Sequence, residues 1–193
     1  MVKNPLKYLS NLYRTNDCIK IHDGCFLYGV MRKSPRESDG AIIVIKNNIP
    51  KIVYEGIAIP NTFVVLKNTN SVLISDSLEK KIYKFSFNDN WDSILKRSLW
   101  LDLSATDCVP DGGCMSKGGD IYIAMWDGAR ITKLSVDGSV LDELELPVLR
   151  PTNCKLVNEE KELVITSATD GLSKQCLVEY PLSGKTFTQS LKK

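Results

Sequence analysis

Apolar and polar positions alternate along this chain in runs of four to seven residues, each closed by turn residues. A period of two over so short a run is the mark of a half-buried β-strand. The runs fall into four successive units. The first predicts strands at Cys18–His22, Cys25–Met31, Ala41–Lys46 and Lys51–Tyr54, with Asp23-Gly24 as a hairpin turn between the first pair. The second predicts Thr62–Lys67, Val72–Ser75, Lys81–Phe87 and a strand around Ser98–Leu103. The third predicts Gly113–Ser116, Ile121–Trp126, Arg130–Val136 and Val140–Glu145, with Asp137-Gly138 turning the last pair. The fourth predicts Cys154–Val157, Glu162–Ser167, Gln175–Tyr180 and Thr186–Ser190. Helical alternatives reduce to Pro5–Leu12 and Trp91–Lys96, each too short to stand alone. The chain is therefore expected to be all-β.

The units also repeat. A polar residue precedes the first apolar run of each, in the segments beginning at Thr15, Pro60, Pro110 and Pro151. Pro60, Pro110 and Pro151 are 50 and 41 residues apart, and Asn16 and Asn61 are 45 apart. A period near 45 residues with about four short strands per unit predicts a β-propeller, in which each unit is one four-stranded blade. Four blades account for nearly all 193 residues, whereas many closed propellers hold six or more. The expectation is one domain over residues 1–193, an incomplete propeller with residues 1–13 as an N-terminal extension; a four-bladed closure is the other arrangement. Open edges would need covering, by the extension or by a homodimer through them.

Composition narrows the partners. A formal charge of +2 with dispersed Lys and Arg points to no nucleic acid and no membrane surface. No apolar stretch approaches the roughly 20 residues of a membrane span, and the N-terminus has no continuous apolar core of a secretion signal. The six cysteines include no C-x-x-C pair and accompany a single His, so a zinc centre is not expected. They read as small buried hydrophobes of a reduced, cytoplasmic protein.

Few residues can carry chemistry. His22, the lone histidine, adjoins the Asp23-Gly24 turn, which argues against a Ser-His or Cys-His catalytic pair. Phosphate-loop, dinucleotide and H-E-x-x-H motifs are absent. Asn61 and Asp111, by contrast, each follow a proline at the start of a unit. A neutral amide oxygen and a carboxylate from successive blades suit a hard divalent cation, Ca²⁺, Mg²⁺ or Mn²⁺. Pro-Asn and Pro-Asp also punctuate β-turns, but their recurrence in register favours the ligand reading. Arg14 and Asn16 hold the equivalent place in unit one and could bind an anionic or hydroxyl-rich ligand. Trp126 reads as packing between blades, with a sugar platform as the alternative.

The segments R-T-N-D (14–17), I-P-N (59–61), V-P-D-G (109–112), I-A-M-W-D-G-A-R (123–130), L-P-V-L-R-P-T (146–152) and T-S-A-T-D-G-L-S (166–173) together resemble the senescence-marker-protein, gluconolactonase and regucalcin family. That resemblance runs from about Arg14 to about Phe187. It implies a six-bladed propeller with one divalent cation (Ca, Zn, Mn or Mg) and hydrolysis of sugar lactones. It makes Asn61 and Asp111 two metal ligands, Asp111 also the base on the attacking water, and Arg14 and Asn16 substrate contacts. Two positions depart from the pattern. The family's first metal ligand is a Glu on an early strand preceding the Arg14 position, and residues 1–13 contain no acidic residue. The Glu that often follows the family's G-T-M segment is replaced, since this chain reads G-V-M-R-K-S with Ser34 there. The implied function is metal-dependent opening of a lactone by an activated water, with slow or no turnover from these 193 residues alone. The alternative is a propeller that binds a metal or ligand without catalysis, or a fragment lacking a complete site.

Overall fold

The computed structural model describes Tyr8 and residues 10 to 191, arranged as two compact units, Met1–Asp102 and Leu103–Lys193. Of the expected extension over 1–13 and the helical alternative at 5–12, residues 1–7 and 9 lie outside the described residues. The first unit contains two four-stranded antiparallel sheets. One is formed by β1 (Tyr13–His22), β2 (Cys25–Arg32), β3 (Gly40–Lys46) and β4 (Ile49–Ile57), the other by β5 (Pro60–Leu66), β6 (Ser71–Asp76), β7 (Lys81–Phe87) and β8 (Ile94–Asp102). In the second unit β9 (Val109–Met115), β10 (Ile121–Trp126), β11 (Arg130–Leu134) and β12 (Val140–Glu145) form a third sheet. The fourth contains β13 (Pro151–Val157), β14 (Glu162–Ser167) and β15 (Thr186–Ser190). Every sheet is an up-and-down meander in chain order, the wiring of a propeller blade.

Burial explains why some strands read as apolar runs and others as alternation. The middle strands β3 (GAIIVIK) and β6 (SVLISD) are covered on both faces, so apart from Lys46 and Asp76 at their ends both sets of side chains are apolar or small. The last strand β12 (VLDELE) is almost wholly exposed and mixes charges into the pattern. In the first unit Leu27, Ile42 and Val44 of one sheet pack against Phe63, Val72, Ile74 and Phe85 of the other. In the second unit Tyr122, Ala124 and Ile131 meet Cys154, Leu163 and Ile165 in the same way. The β3–β4 hairpin turns through Asn47 and Asn48 at φ 50° and 64°. Two successive positive φ angles give a turn whose twist matches the flanking strands, and Asn tolerates them.

Three expectations need correction. The first strand of each sheet begins earlier than the apolar pattern indicates, at Tyr13, Pro60, Val109 and Pro151, so the candidate polar residues lie inside the strands. Gln175–Tyr180, expected as a strand, is instead the short helix α1 (Lys174–Glu179), capped by Ser173, whose Oγ accepts from the Cys176 N–H at 3.2 Å. The place beside β14 is taken by β15, which leaves the fourth sheet three-stranded. The stretch Trp91–Lys96 is a turn leading into β8; Asn88 Oδ1 accepts from the N–H groups of Asp92 and Ser93 at 3.0 and 3.2 Å. That side-chain turn competes with helical hydrogen bonding. No helix among the described residues is long and apolar enough to cross a membrane.

Candidate metal and substrate site

Each first strand carries a register irregularity against the second strand, and in the first three it falls on or next to a candidate residue. On β1 the break lies between Thr15 and Cys18, so that Asn16 and Asp17 together oppose Gly29. On β5 it follows Asn61, and on β9 Asp111 and Gly112 together oppose Ala124. On β13 Thr152 is the extra residue. A bulge breaks the two-residue alternation locally and re-aims a side chain away from the sheet face it would otherwise join. The recurrence of Pro-Asn, Pro-Asp and Pro-Thr is thus the sequence trace of one backbone device used in successive sheets. On β5 the device places Thr62 at φ 72°, a left-handed backbone that a β-branched residue rarely adopts. The buried hydrogen bond from Thr62 Oγ1 to Ser75 Oγ, 2.9 Å, helps hold it there.

In the first unit Asn61 is buried, and the backbone leading to it is clamped. Asp76 closes β6 opposite Pro60 and is itself buried. Its carboxylate accepts from the backbone N–H groups of Ala58, Ile59 and Leu78 at 2.7, 3.2 and 3.1 Å. Ser77 N–H returns a bond to Ile59 O at 3.0 Å. Asn16 reaches the same segment, its Nδ2 donating to Pro60 O at 3.1 Å. Arg14 Nη1 donates to Asn16 Oδ1 at 2.6 Å and to Thr15 O at 3.0 Å. Arg14, Asn16 and the Pro60-Asn61 segment therefore form one hydrogen-bonded group. Gly29 makes the approach feasible, because a Cβ there would stand 2.5 Å from Pro60 Cγ.

Asp17 is a residue that the sequence reading passed over. It is half-buried on the β1 bulge, accepts from Cys18 N–H at 2.8 Å, and has its carboxyl pushed up to about 6 by burial. A carboxylic acid poised near neutrality beside substrate-contact candidates is a common property of functional sites. The unfolded chain loses this proton near 3.8, the folded chain near 6. Across that window the native state holds the proton more tightly, so this group's contribution to stability falls as pH rises through it. Asp17→Asn keeps the acceptor oxygen and removes the charge. It is expected to gain about 1–2 kcal/mol over the parent at pH 7.5 and nothing at pH 4, as measured by urea unfolding.

The β2–β3 connection shapes a cavity of about 370 Å³ lined by Arg32, Ser34, Arg36 and Glu37. It lies at the same end of the sheet, since Arg32 pairs with Tyr13 and Met31 with Arg14. Lys33 N–H bonds Leu12 O at 2.9 Å, and Arg32 meets Asp39 at 3.2 Å. The volume falls at the small end of the range typical of small-molecule pockets.

In the second unit Asp111 is half-buried, and its neighbour Gly112 has the side chain of Asn153 where a Cβ would sit, 2.3 Å from Asn153 Cγ. Trp126 is not a free platform. The Arg150 guanidinium lies 4.9 Å over its ring and is paired with Asp127, Nε to Oδ1 at 2.5 Å. Arg150 Nη1 also donates to Asp170 O. His22 is exposed, its Nδ1 2.9 Å from Asp23 O. Asn61 and Asp111 belong to different units, and each is placed here within its own. Their donors, an amide and a carboxylate oxygen, match hard divalent cations. Among the described residues no cluster of three or more His, Cys, Asp or Glu is placed to hold a metal ion.

Comparison with known proteins adds the following. The family described as SMP-30/Gluconolactonase/LRE-like region matches residues 4–169. A 6-deoxy-6-sulfogluconolactonase of Pseudomonas putida is 32% identical over 114 residues, 58% of this chain and 39% of that protein. An L-arabinolactonase of Azospirillum brasilense is 25% identical over 178 residues, 90% of this chain and 59% of that protein. The crystal structure of regucalcin from Agrobacterium tumefaciens, a calcium-binding protein, superposes with a TM-score of 0.85 at 20% identity. It covers 92% of this chain and 61% of its own. The chain thus spans less than two thirds of the length of each.

Proposed function

The chain belongs to the SMP-30/gluconolactonase/LRE-like family, a lactonase-type family of β-propellers, and we propose that it is a hydrolase that opens sugar lactones with the help of a divalent cation. The observation that supports this reading is the repeated bulge: Asn61 stands just before the irregularity of β5 and Asp111 within that of β9, each after a proline near the start of a first strand. In the proposal Asn61 and Asp111 each supply an oxygen to the cation, which when bound lends Lewis acidity toward the ring carbonyl. Asp111 takes the proton of the attacking water. Arg14 and Asn16 orient the ring hydroxyls, and Asn16 is held for this by Pro60 O. Ser34 and the Arg32–Glu37 cavity set which lactone is accepted. The free thiols of Cys25, Cys108, Cys114 and Cys154, all buried, support a reduced cytoplasmic setting.

A second reading, a propeller that binds a metal or ligand without turnover, follows from the matched set itself, which is one carboxylate and one amide. A cation held by one carboxylate, one amide and water binds weakly, because affinity follows ligand charge count. The assay therefore needs millimolar cation. A panel of aldonolactones followed by pH-stat, with Zn²⁺, Mn²⁺, Mg²⁺ and Ca²⁺ in turn, is expected to show slow opening above the spontaneous rate for at least one pair. A folded protein that accelerates none of them supports the second reading.

A further inference from the structure

The connection from β2 to β3 is pinned at both ends. Lys33 N–H donates to Leu12 O at 2.9 Å. Asp39 Oδ2 accepts from the Tyr13 hydroxyl at 3.4 Å and from Arg32 Nη1 at 3.2 Å. Pro35 stiffens the span between these anchors, because its ring fixes its own φ. Within the span stands the cavity lined by Arg32, Ser34, Arg36 and Glu37. The ladder sets it against the strand that carries the proposed substrate contacts: Met31, next to Arg32, pairs with Arg14.

The lining carries two cations and one anion. Arg32 gives one N–H group to Asp39, and a guanidinium has five. Arg36 is exposed and enters no ion pair among the described residues. Glu37 lines the same cavity, yet it does not pair with Arg36 either. The Arg36 charge is therefore left for a ligand. Paired N–H groups of a guanidinium match two oxygens of a phosphate, sulfonate or carboxylate, and the Ser34 hydroxyl adds a further donor. A neutral polyol would gain little from two such cations.

We propose that this cavity binds an anionic group carried by the substrate, which makes the substrate class a sugar lactone bearing a phosphate, sulfonate or carboxylate. Arg36 and Arg32 hold the oxyanion, Ser34 donates to it, and Glu37 accepts from a neighbouring sugar hydroxyl. The lactone half of this assignment rests on the function proposed above, whereas the oxyanion half rests on the cavity alone.

The test measures binding first, on the full chain in EDTA, by calorimetry with probes that cannot be opened. These are glucitol, its phosphate and sulfate esters at a primary hydroxyl, and gluconate. At least one anionic probe is expected to bind about 10-fold or more tightly than glucitol, and the tightest of the three names the anion. Arg36→Gln should remove most of that preference, and Glu37→Gln should widen it. Lys33→Gln deletes an equal charge from an exposed neighbour outside the lining, and should change it by less than about twofold because salt screens such a charge. Gluconolactone, its phosphate monoester and the monolactone of glucaric acid are then followed by pH-stat with Mn²⁺, and KM should be about 10-fold lower for an anionic lactone than for gluconolactone. Equal affinity for glucitol and all three anions would overturn the proposal. So would a loss in Lys33→Gln as large as that in Arg36→Gln, the mark of a diffuse surface charge. Equal KM for neutral and anionic lactones would overturn the anionic class while the hydrolase function stands. Anion binding with the expected variant pattern, but no lactone opened, would sink the hydrolase function and uphold the oxyanion site.

Discussion

Asp111→Ala is expected to remove measurable divalent-cation binding and to slow any lactone opening by about 100-fold or more. The substitution deletes the only carboxylate among the matched ligands and, in the proposed reaction, the base as well. What remains at the matched positions is the neutral amide of Asn61, and hard-cation affinity collapses as ligand charge is lost. The fold should tolerate the change. Asp111 is half-buried on a bulge whose close contact is made by Gly112 against Asn153, which the substitution leaves in place. Calorimetric titration with Mn²⁺ and Ca²⁺, beside a melting curve within a few degrees of the parent, checks both halves. Asp111→Asn separates them: it keeps an oxygen but neither the charge nor the basicity, so binding should fall less than turnover.

The largest expected loss of stability is at Asp76. Its carboxylate is buried and satisfies three backbone N–H groups, those of Ala58, Ile59 and Leu78. Alanine leaves all three without that acceptor, the Ala58 N–H in a fully buried place and the other two in partly buried ones. An unmet buried donor costs about 1–3 kcal/mol, and local relaxation recovers part of it, so a net loss of about 3–5 kcal/mol is expected from urea unfolding. Asp76→Asn retains one acceptor oxygen and should lose about half as much. The damage should also reach the candidate site, because the clamped segment ends in Pro60, whose carbonyl holds Asn16. A loss below about 1 kcal/mol would mean that the clamp is not what fixes this segment.

How much was legible follows from what each feature depends on. The blade pattern depends on local alternation and on turn residues such as Asp23-Gly24, so strand order and sheet wiring could be read directly. Asn61 and Asp111 stood out because proline precedes both. The bulges that give those residues meaning are properties of pairing between strands, visible only once Asn61 is seen opposite Ser75 and Gly113 opposite Ile123. Asp76 escaped for the same reason: at the end of an apolar run it reads as a strand terminus, and only the ladder sets it against Pro60. Asp17 carried a signal, its place in R-T-N-D, but its raised titration comes from burial, which the alternation of an exposed first strand does not announce. The apolar Cys-Leu-Val of α1 imitates a strand, and the Ser173 cap that decides for helix is a single residue.

The central claim is that Asn61 and Asp111 serve a cation-dependent lactone hydrolase. Its most direct test is to strip the protein with EDTA, exchange it into chelator-free buffer and follow aldonolactone opening as Mn²⁺ or Ca²⁺ is returned. The rate should start at the spontaneous background and rise along a saturating curve into the millimolar range. That rise should be absent in Asp111→Ala and weakened in Asn61→Ala. Opening that survives metal removal, or a cation response unchanged in Asp111→Ala, would contradict the assignment.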